Sequence, residues 1–524
     1  MEEYNKLFVG GDLSGIQKYL YNISSHKAAV SLTGRSAKLS NYMEDCCEKI
    51  RSSAEKAGAN DTKKIYCSGG KFYVIVDIGE NRQSIITELD SCIRIIKEAL
   101  WKEQLGQLAI NISYVPFSEN SDGTVNVDGR PCCNCGELWR IVNAKFAAQK
   151  NQKFKDYLIS HYTEFFNPIH VGGKSKVCAI TGIESKECVP LYEKKPIDGK
   201  ENFYVLPIVK EQINKGMDIC DQYDFRDFDK YADGTEMGVL RMDVDGLGKR
   251  LIKGFDSIDK YKEYSDSLTD FFEKDIREFQ KKEKYKDYLN IVYAGGDDLF
   301  IVGRWDKVID FAELIHKETE LAPFNQSAGN DDKIHISGGV VIVKPTFPIA
   351  KAAELAGDAE DNSKQYKDIS EGKEYVKNAF HMFGKTISWE RPIQITTENF
   401  NKLPQHKKES KTEFEYVKYY KDKFISLTNS DGLSKSILHQ IMLYSSIADK
   451  NKILKDGEPK NYSYIWHLSY YLTRFAKRSQ GSMPIREFCY NLRDNELKNE
   501  RKLELIALSA RWAELILKDE LYDN

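Results

Sequence analysis

Two short acidic stretches carry the chemistry this sequence could perform. Asp243 and Asp245 stand two residues apart in Arg241-Met242-Asp243-Val244-Asp245-Gly246, at the end of an apolar run. Alternation along a strand puts both carboxylates on one face. Asp297 and Asp298 are adjacent in Tyr293-Ala294-Gly295-Gly296-Asp297-Asp298-Leu299-Phe300, between the β-prone runs 289–292 and 299–302. Two such runs joined by a glycine pair predict a hairpin with acids at its tip. Adjacent carboxylates raise each other's pKa unless a cation offsets their charge. Hard oxygen ligands from two strands, beside glycines that let a triphosphate approach the backbone, suit two Mg²⁺ (or Mn²⁺) ions and phosphoryl transfer. Either stretch alone is equally well read as a solvated turn. Together, in this order, they mark Asp243, Asp297 and Asp298 as catalytic candidates, with Asp245 as a further metal ligand and Gly295 and Gly296 beside the phosphates.

The elements that must position these acids occur twice. Residues 5–12 read as a strand entering a tight turn, and a helix over 13–21 follows, with Asp12 or Ser14 available as N-cap. Such a turn aims backbone N–H groups outward, so Gly11, Asp12, Ser14 and Gly15 are candidate phosphate contacts. A second helix spans about 34–50, and 65–76 form a hairpin around Ser68-Gly69-Gly70-Lys71. Amphipathic helices are expected after each hairpin, over 84–101 and 307–321, and a further strand after each helix, over 107–115 and 334–343. This is an internal duplication of a β-α-β-β-α-β unit. The copies differ at the hairpin, where the first has Ser68 and Lys71 and the second its acids. One half would bear metal, and the other would only bind nucleotide, through the turn at 11–15 and Ser68, Gly69 and Gly70. Ser337 at a small-residue kink in the last strand, and Lys364 on a helix over 348–367, are further candidates for nucleotide contact.

Between the copies lie polar, turn-rich residues 116–135 and a cysteine-bearing segment. Cys132 and Cys135 have the CxxC spacing of a zinc knuckle, and Cys178 and Cys188 could complete a structural Zn²⁺ site. Cys133 and His170 are alternative ligands, and free thiols are the competing reading. Beyond residue 400 the pattern is helix after helix, with amphipathic stretches at 462–477 and 498–517 that suit partner binding rather than catalysis. The expected domains are therefore 1–125, 126–200, 201–400 and 401–524, in an α+β multidomain chain. Its 524 residues carry a net charge of −3, so bulk electrostatics do not argue for nucleic-acid binding. Mean hydropathy is −0.53, and neither a membrane-spanning run nor a signal-peptide pattern is present, which predicts a cytoplasmic protein with reduced cysteines.

The ordered set of Gly11-Asp12-Leu13-Ser14-Gly15-Ile16-Gln17, the Ser-Gly-Gly hairpin, the cysteine segment, Asp243-Val244-Asp245 and Gly295-Gly296-Asp297-Asp298 resembles the large subunit of type III-A (Csm-type) CRISPR effector complexes. The resemblance covers nearly the whole chain. It implies two ferredoxin-like palm domains of nucleotidyl-cyclase type, a zinc-binding insert and a C-terminal helical domain similar to the small subunit. It further implies conversion of ATP to cyclic oligoadenylates upon capture of target RNA, in a complex with CRISPR RNA and other Csm-type subunits, with no membrane partner. Many members open on an HD nuclease domain. Here none of the nine histidines is followed by Asp, so no HD-type DNA cleavage is expected. Two other readings compete: a stand-alone nucleotidyl cyclase, and a catalytically silent scaffold subunit.

Overall fold

The computed structural model describes residues 4–520 apart from short stretches, the longest of which are 164–174, 192–202, 222–227, 327–332, 398–406 and 453–460. Cys133 and His170 lie outside the described residues. The chain packs as two units: Met1–Ile336 with Ile342–Gly357, and Ser337–Val341 with Asp358–Asn524.

The first unit opens with strand β1 (Lys6–Ser14), the short helix α1 (Ile16–Tyr21) and the long helix α2 (Ala28–Lys56). The hairpin β2 (Asp61–Ser68) and β3 (Lys71–Asp77), helix α3 (Arg82–Gln104) and strand β4 (Ala109–Glu119) follow. The strands lie in the order β2-β3-β1-β4 with antiparallel neighbours throughout. Both α2 and α3 are amphipathic. Leu32, Leu39, Met43, Cys46 and Ile50 on α2 are buried at helical spacing, as are Ile85, Leu89, Ile93 and Ile96 on α3. Helix α4 (Gly136–Lys150) lays Trp139 against Phe8 and Tyr73, with ring centroids 5.1 and 3.5 Å apart, so this part of the cysteine segment packs into the first sheet's core. Helix α5 (Pro207–Asp221) packs on α2.

The second copy begins with β5 (Met237–Asp245), followed by helices α6 (Leu247–Lys253) and α7 (Ile258–Asp270). A π-helical turn, Phe271–Asp275, and a short helix, Ile276–Gln280, continue from α7. The hairpin β6 (Leu289–Gly295) and β7 (Asp298–Arg304) and helix α8 (Trp305–Leu321) complete this part, with strand order β6-β7-β5. The two hairpins share a detail that the strand pattern alone does not reveal. The β2–β3 register slips between Lys64 and Tyr66, and the β6–β7 register slips between Ile291 and Tyr293. These β-bulges stand at matching positions, and a bulge bends its strand and increases the local twist.

Several expected boundaries shift. β1 runs through Ser14, so neither Asp12 nor Ser14 caps a helix: both are strand residues, and Gly15, with φ 93°, makes the turn. α2 is longer than expected at both ends because its buried face continues past residues 34 and 50.

In the second unit, residues 337–341 of strand β8 (His335–Val343) contribute Gly338 and Gly339, which pair parallel with Phe380 and His381 on β9 (Ala379–Met382). β9 forms a hairpin with β10 (Lys385–Ser388). The helix after β8, α9 (Ile349–Lys364), stops before Lys367, which instead opens a small antiparallel ribbon to Val376. Strands β11 (Pro392–Thr397) and β12 (Lys407–Thr412) pair ahead of the helices, so the basic run at 407–408 belongs to a strand. Helices α10 (Glu413–Asp431), α11 (Ser436–Lys452), α12 (Ser463–Arg478), α13 (Met483–Asn491) and α14 (Glu500–Asp519) complete the unit. A capping box between Thr412 and Glu415 starts α10, and Gly432 in the left-handed region ends it.

Candidate active site

Pairing of β5 with β7 places Asp243 directly opposite Asp298, and the Val244 N–H donates to the Asp297 carbonyl at 3.0 Å. Asp245 lies two residues beyond Asp243 on the same strand face. The four acids therefore gather at one end of the sheet, where Gly296, with φ 70°, turns the chain. Arg241, buried on the same strand, brings Nη2 to 4.0 Å from Asp298 Oδ2. No three His, Cys, Asp or Glu side chains converge on a common point among the described residues, so the acids are neighbours by strand register. Their chemistry, charged oxygen donors from two strands beside a glycine turn, fits a hard divalent cation. Two phenols border them, Tyr293 buried and Tyr66 partly so. Burial and the Asp297 carboxylate push Tyr66 well above its ordinary range, and burial with Asp298 and Asp297 does the same to Tyr293. Both phenols stay neutral, so they add no charge beside the acids.

The first hairpin meets the second tip to tip. A Cβ built on Gly69 would lie 2.8 Å from Gly296 Cα, and one built on Gly296 would lie 2.8 Å from Gly69 Cα. The registers explain this reciprocity. Ser68 opposite Lys71 matches Gly295 opposite Asp298, so Gly69 matches Gly296, Gly70 matches Asp297, and Lys71 stands where Asp298 stands. The duplicated halves thus face each other across a pseudo-twofold, with hairpin acids in one copy only. Ser68 Oγ accepts the Gly296 N–H at 2.8 Å and donates to Glu273 Oε1.

A cavity opens on either side of this junction. One, of about 190 Å³, is lined by Asp297, Gly69, Lys71, Tyr66, Trp139 and Ser265, among others, with Leu247 and Gly248 at the start of α6. The other, also about 190 Å³, is lined by Ser68, Gly69, Gly70, Gly295, Glu273 and α2 residues including Ser40. Together they bring Ser68, Gly69, Gly70, Gly295 and Asp297 into one place.

The turn at 11–15 is different. Gly11 packs against the Phe72 ring, and Asp12 is buried with Oδ2 2.8 Å from Lys150 Nζ. Ser14 Oγ accepts from Asn111 Nδ2 at 2.9 Å, and the Leu13 N–H bonds to the Gly70 carbonyl at 2.8 Å. The expected outward-facing phosphate turn is therefore corrected: these groups are committed to the sheet, and α1 has only six residues. Ser337 and Lys364 belong to the second unit. Ser337 is fully buried and accepts the Ala379 N–H at 3.3 Å, while Lys364 pairs with Glu360 at 2.6 Å.

Among the cysteines, Cys135 Sγ lies 3.6 Å from the Phe255 carbonyl, under α4. Cys178 is buried, and Cys188 Sγ lies 3.3 Å from the Lys176 carbonyl. Burial, and after it the charge of Cys178, raise the Cys188 thiol above its ordinary value. The side chain of Cys132 lies outside the described residues, and no zinc cluster is formed by the described ones. Sequence reasoning missed Glu273, Tyr66, Trp139 and Lys150. For Glu273 the available signal was Phe271-Phe272 followed by Ile276, a slip in helical period that a π turn produces.

Residues 5–168 match the family model for Csm1 subunit domain B, and residues 236–374 match that for the Cas10/Cmr2 second palm domain. A curated relative from Enterococcus italicus, named CRISPR system single-strand-specific deoxyribonuclease Cas10/Csm1 (subtype III-A), is 27% identical over 426 residues, covering 68% of this chain and 52% of the relative. A protein of the same name from Methanocaldococcus jannaschii is 25% identical over 539 residues, covering 82% of this chain and 64% of the relative. The chain thus spans between about half and two thirds of the length of these relatives. Solved Csm1-Csm4 cassettes in complex with pppApA and with cA4 share the fold, with TM-scores of 0.58 and 0.57 at 16% and 17% identity. Each comparison covers 97% of this chain and 70% of the solved chain.

Proposed function

We propose that this chain, which belongs to the Cas10/Csm1 family of type III-A CRISPR large subunits, is an RNA-activated nucleotidyltransferase converting ATP into cyclic oligoadenylates. The observation that carries this reading is the tip-to-tip junction of the two hairpins, with hairpin acids in one copy only and a cavity on either side. Joining nucleotides needs two of them at once, one offering a 3′-hydroxyl and one an α-phosphate. A duplicated fold with a cavity on each side of one acidic tip suits that demand. The solved cassettes bound to pppApA and cA4 agree in chemical class.

In this reading Asp243, Asp245, Asp297 and Asp298 would hold Mg²⁺ or Mn²⁺, which would lower the pKa of the attacking hydroxyl and offset charge on the departing pyrophosphate. The chain's own residues do the positioning. Gly295 and Gly296 carry no side chains, so the first hairpin's tip packs directly on this turn and sets Asp297 at the edge of the cavity. Lys71 replaces the second acid of the first copy and places a cation beside Asp297 in the same cavity. The first palm, over 1–125, binds without cutting or joining, and the second, over 201–400, does the chemistry. The segment 126–200 would hold structural zinc through Cys132, Cys135, Cys178 and Cys188. The helical region from 401 would contact other subunits of a complex carrying CRISPR RNA and target RNA.

The test is product analysis by mass spectrometry, with the assembled complex given ATP, Mg²⁺ and target RNA beside Asp297→Ala/Asp298→Ala. Cyclic adenylates from the wild type alone support the reading. No nucleotide product from a complex that still captures RNA overturns it and leaves a scaffold.

A further inference from the structure

We infer that Glu273 is a positioning residue for this transfer: it orients the Ser68 hydroxyl, which in turn holds the Gly296 N–H and aims the acidic hairpin. The inference rests on the nucleotidyltransferase reading for its consequence, but on geometry for its content. Ser68 Oγ accepts the Gly296 N–H at 2.8 Å and donates to Glu273 Oε1. A hydroxyl has one proton, so the partner that takes it decides where the remaining lone pairs point. Glu273 takes it, and a lone pair is left aimed at Gly296, one residue before Asp297.

The fold goes out of its way to deliver this carboxylate. Glu273 sits in the π-helical turn Phe271–Asp275, between α7 and the helix leading to β6. One extra residue in the helical ladder rotates every later side chain, and such turns recur at functional sites. Here Phe271 and Phe272 are both buried, and Glu273 emerges into the cavity beside Ser68, Gly69 and Gly295. The relay runs one way only. At the position matching Ser68 the second copy has Gly295, which offers no hydroxyl back to the first hairpin. The Gly69–Gly296 contact fixes how closely the tips approach. The hydrogen bond fixes how they are rotated against each other, and so where Asp297 and Asp298 point.

The experiment compares Glu273→Ala, Glu273→Gln and both in a Ser68→Ala background, in the assembled complex with ATP, Mg²⁺ and target RNA. Glu273→Ala should lower kcat about tenfold, the worth of one hydrogen bond to a charged group, with KM for ATP changed less than about twofold. Glu273→Gln keeps an amide oxygen that accepts the same proton and should retain about half of the wild-type rate or more. In the Ser68→Ala background, Glu273→Ala should cause no further loss. A Gln variant as poor as the Ala variant, or an additive loss without Ser68, overturns the inference. Hydrogen exchange of the 295–298 amides in the full chain supplies a readout independent of product. It should quicken in Glu273→Ala and Ser68→Ala but not in Glu273→Gln. If the wild type makes no product while exchange follows this pattern, the functional reading fails and the relay stands. If exchange ignores Glu273→Ala, the relay is overturned whatever the product.

Discussion

Gly69 and Gly296 touch backbone to backbone, each occupying the space that a side chain on the other would need. Both also have positive φ, 59° and 70°, where an L side chain is strained by about 1–2 kcal/mol. Gly296→Ala combines that strain with a clash on Gly69 Cα, and we expect product formation to fall by more than about tenfold as the tips part. Gly182 supplies the control. Its φ is 71°, but a Cβ there meets nothing within 4 Å, so Gly182→Ala should show the strain in a thermal melt and leave the rate unchanged.

Asp243 and Asp298 face each other across paired strands, and like charges directly opposite are destabilising. Asp243→Asn should therefore leave Tm unchanged or raised, while product formation drops at least about a hundredfold with loss of a ligand that stabilises developing charge. Parallel melting curves and rates check this. A fall in Tm matching the fall in rate would mean that Asp243 holds the fold and not the reaction.

Much of this was legible because the acids and glycines lie in short apolar runs bounded by glycine turns, and β1, β3, β5, β6 and β7 are buried along almost their whole length. The hairpins at 68–71 and 295–298, and their duplication, follow from local pattern and turn chemistry. What local pattern could not supply was the partner of each polar group. Asp12 reads as a free cap beside a helix, yet its charge is taken by Lys150, which lies 138 residues later by the difference of the two positions. Glu273 draws no notice in the sequence, because a π turn changes which way a side chain points and shows there only as the slip from Phe271-Phe272 to Ile276. Lys364 reads as a free cation until Glu360 is found beside it. The two cysteine groups, separated by a long and varied stretch, carried no register to say whether they meet.

Lys150 and Asp12 make a second test of the duplicated design. Asp12 holds in the first copy the place that Asp243 holds in the second, since Asp12 pairs with Lys71 as Asp243 pairs with Asp298. Here a lysine supplies the positive charge. Lys150→Met would leave Asp12 buried without its cation and should destabilise the chain by about 1–3 kcal/mol, less than for a fully buried pair because Lys150 is half exposed. Asp12→Asn with Lys150→Met should recover most of that loss, since no charge is then stranded. Denaturant titration of the single and double variants measures both. Equal loss in the double variant would show that Asp12 contributes through shape alone.

The second unit contains a carboxylate whose titration should be felt as acid sensitivity. Glu413 is fully buried at the start of α10, with Oε2 2.5 Å from Arg501 Nη2 and Oε1 2.5 Å from Arg391 Nη1. Burial works to raise its pKa, but the Arg501 bond and charge, the Ser388 N–H and Arg391 outweigh it and hold the carboxyl below its ordinary value. A depressed carboxylate pKa adds stability that is fully present above the unfolded value, about 4.3, and is lost as pH falls through the folded one. The Tm of the second unit's transition should therefore hold steady from neutrality to about pH 5 and then decline. Glu413→Gln removes the charge while keeping the shape. It should cost about 3–5 kcal/mol at pH 7, because two arginines are left beside a neutral group, and should flatten the acid limb of the profile. Calorimetry of both proteins across this range decides the matter: an acid limb as steep in Glu413→Gln as in the wild type would assign the sensitivity to other carboxylates.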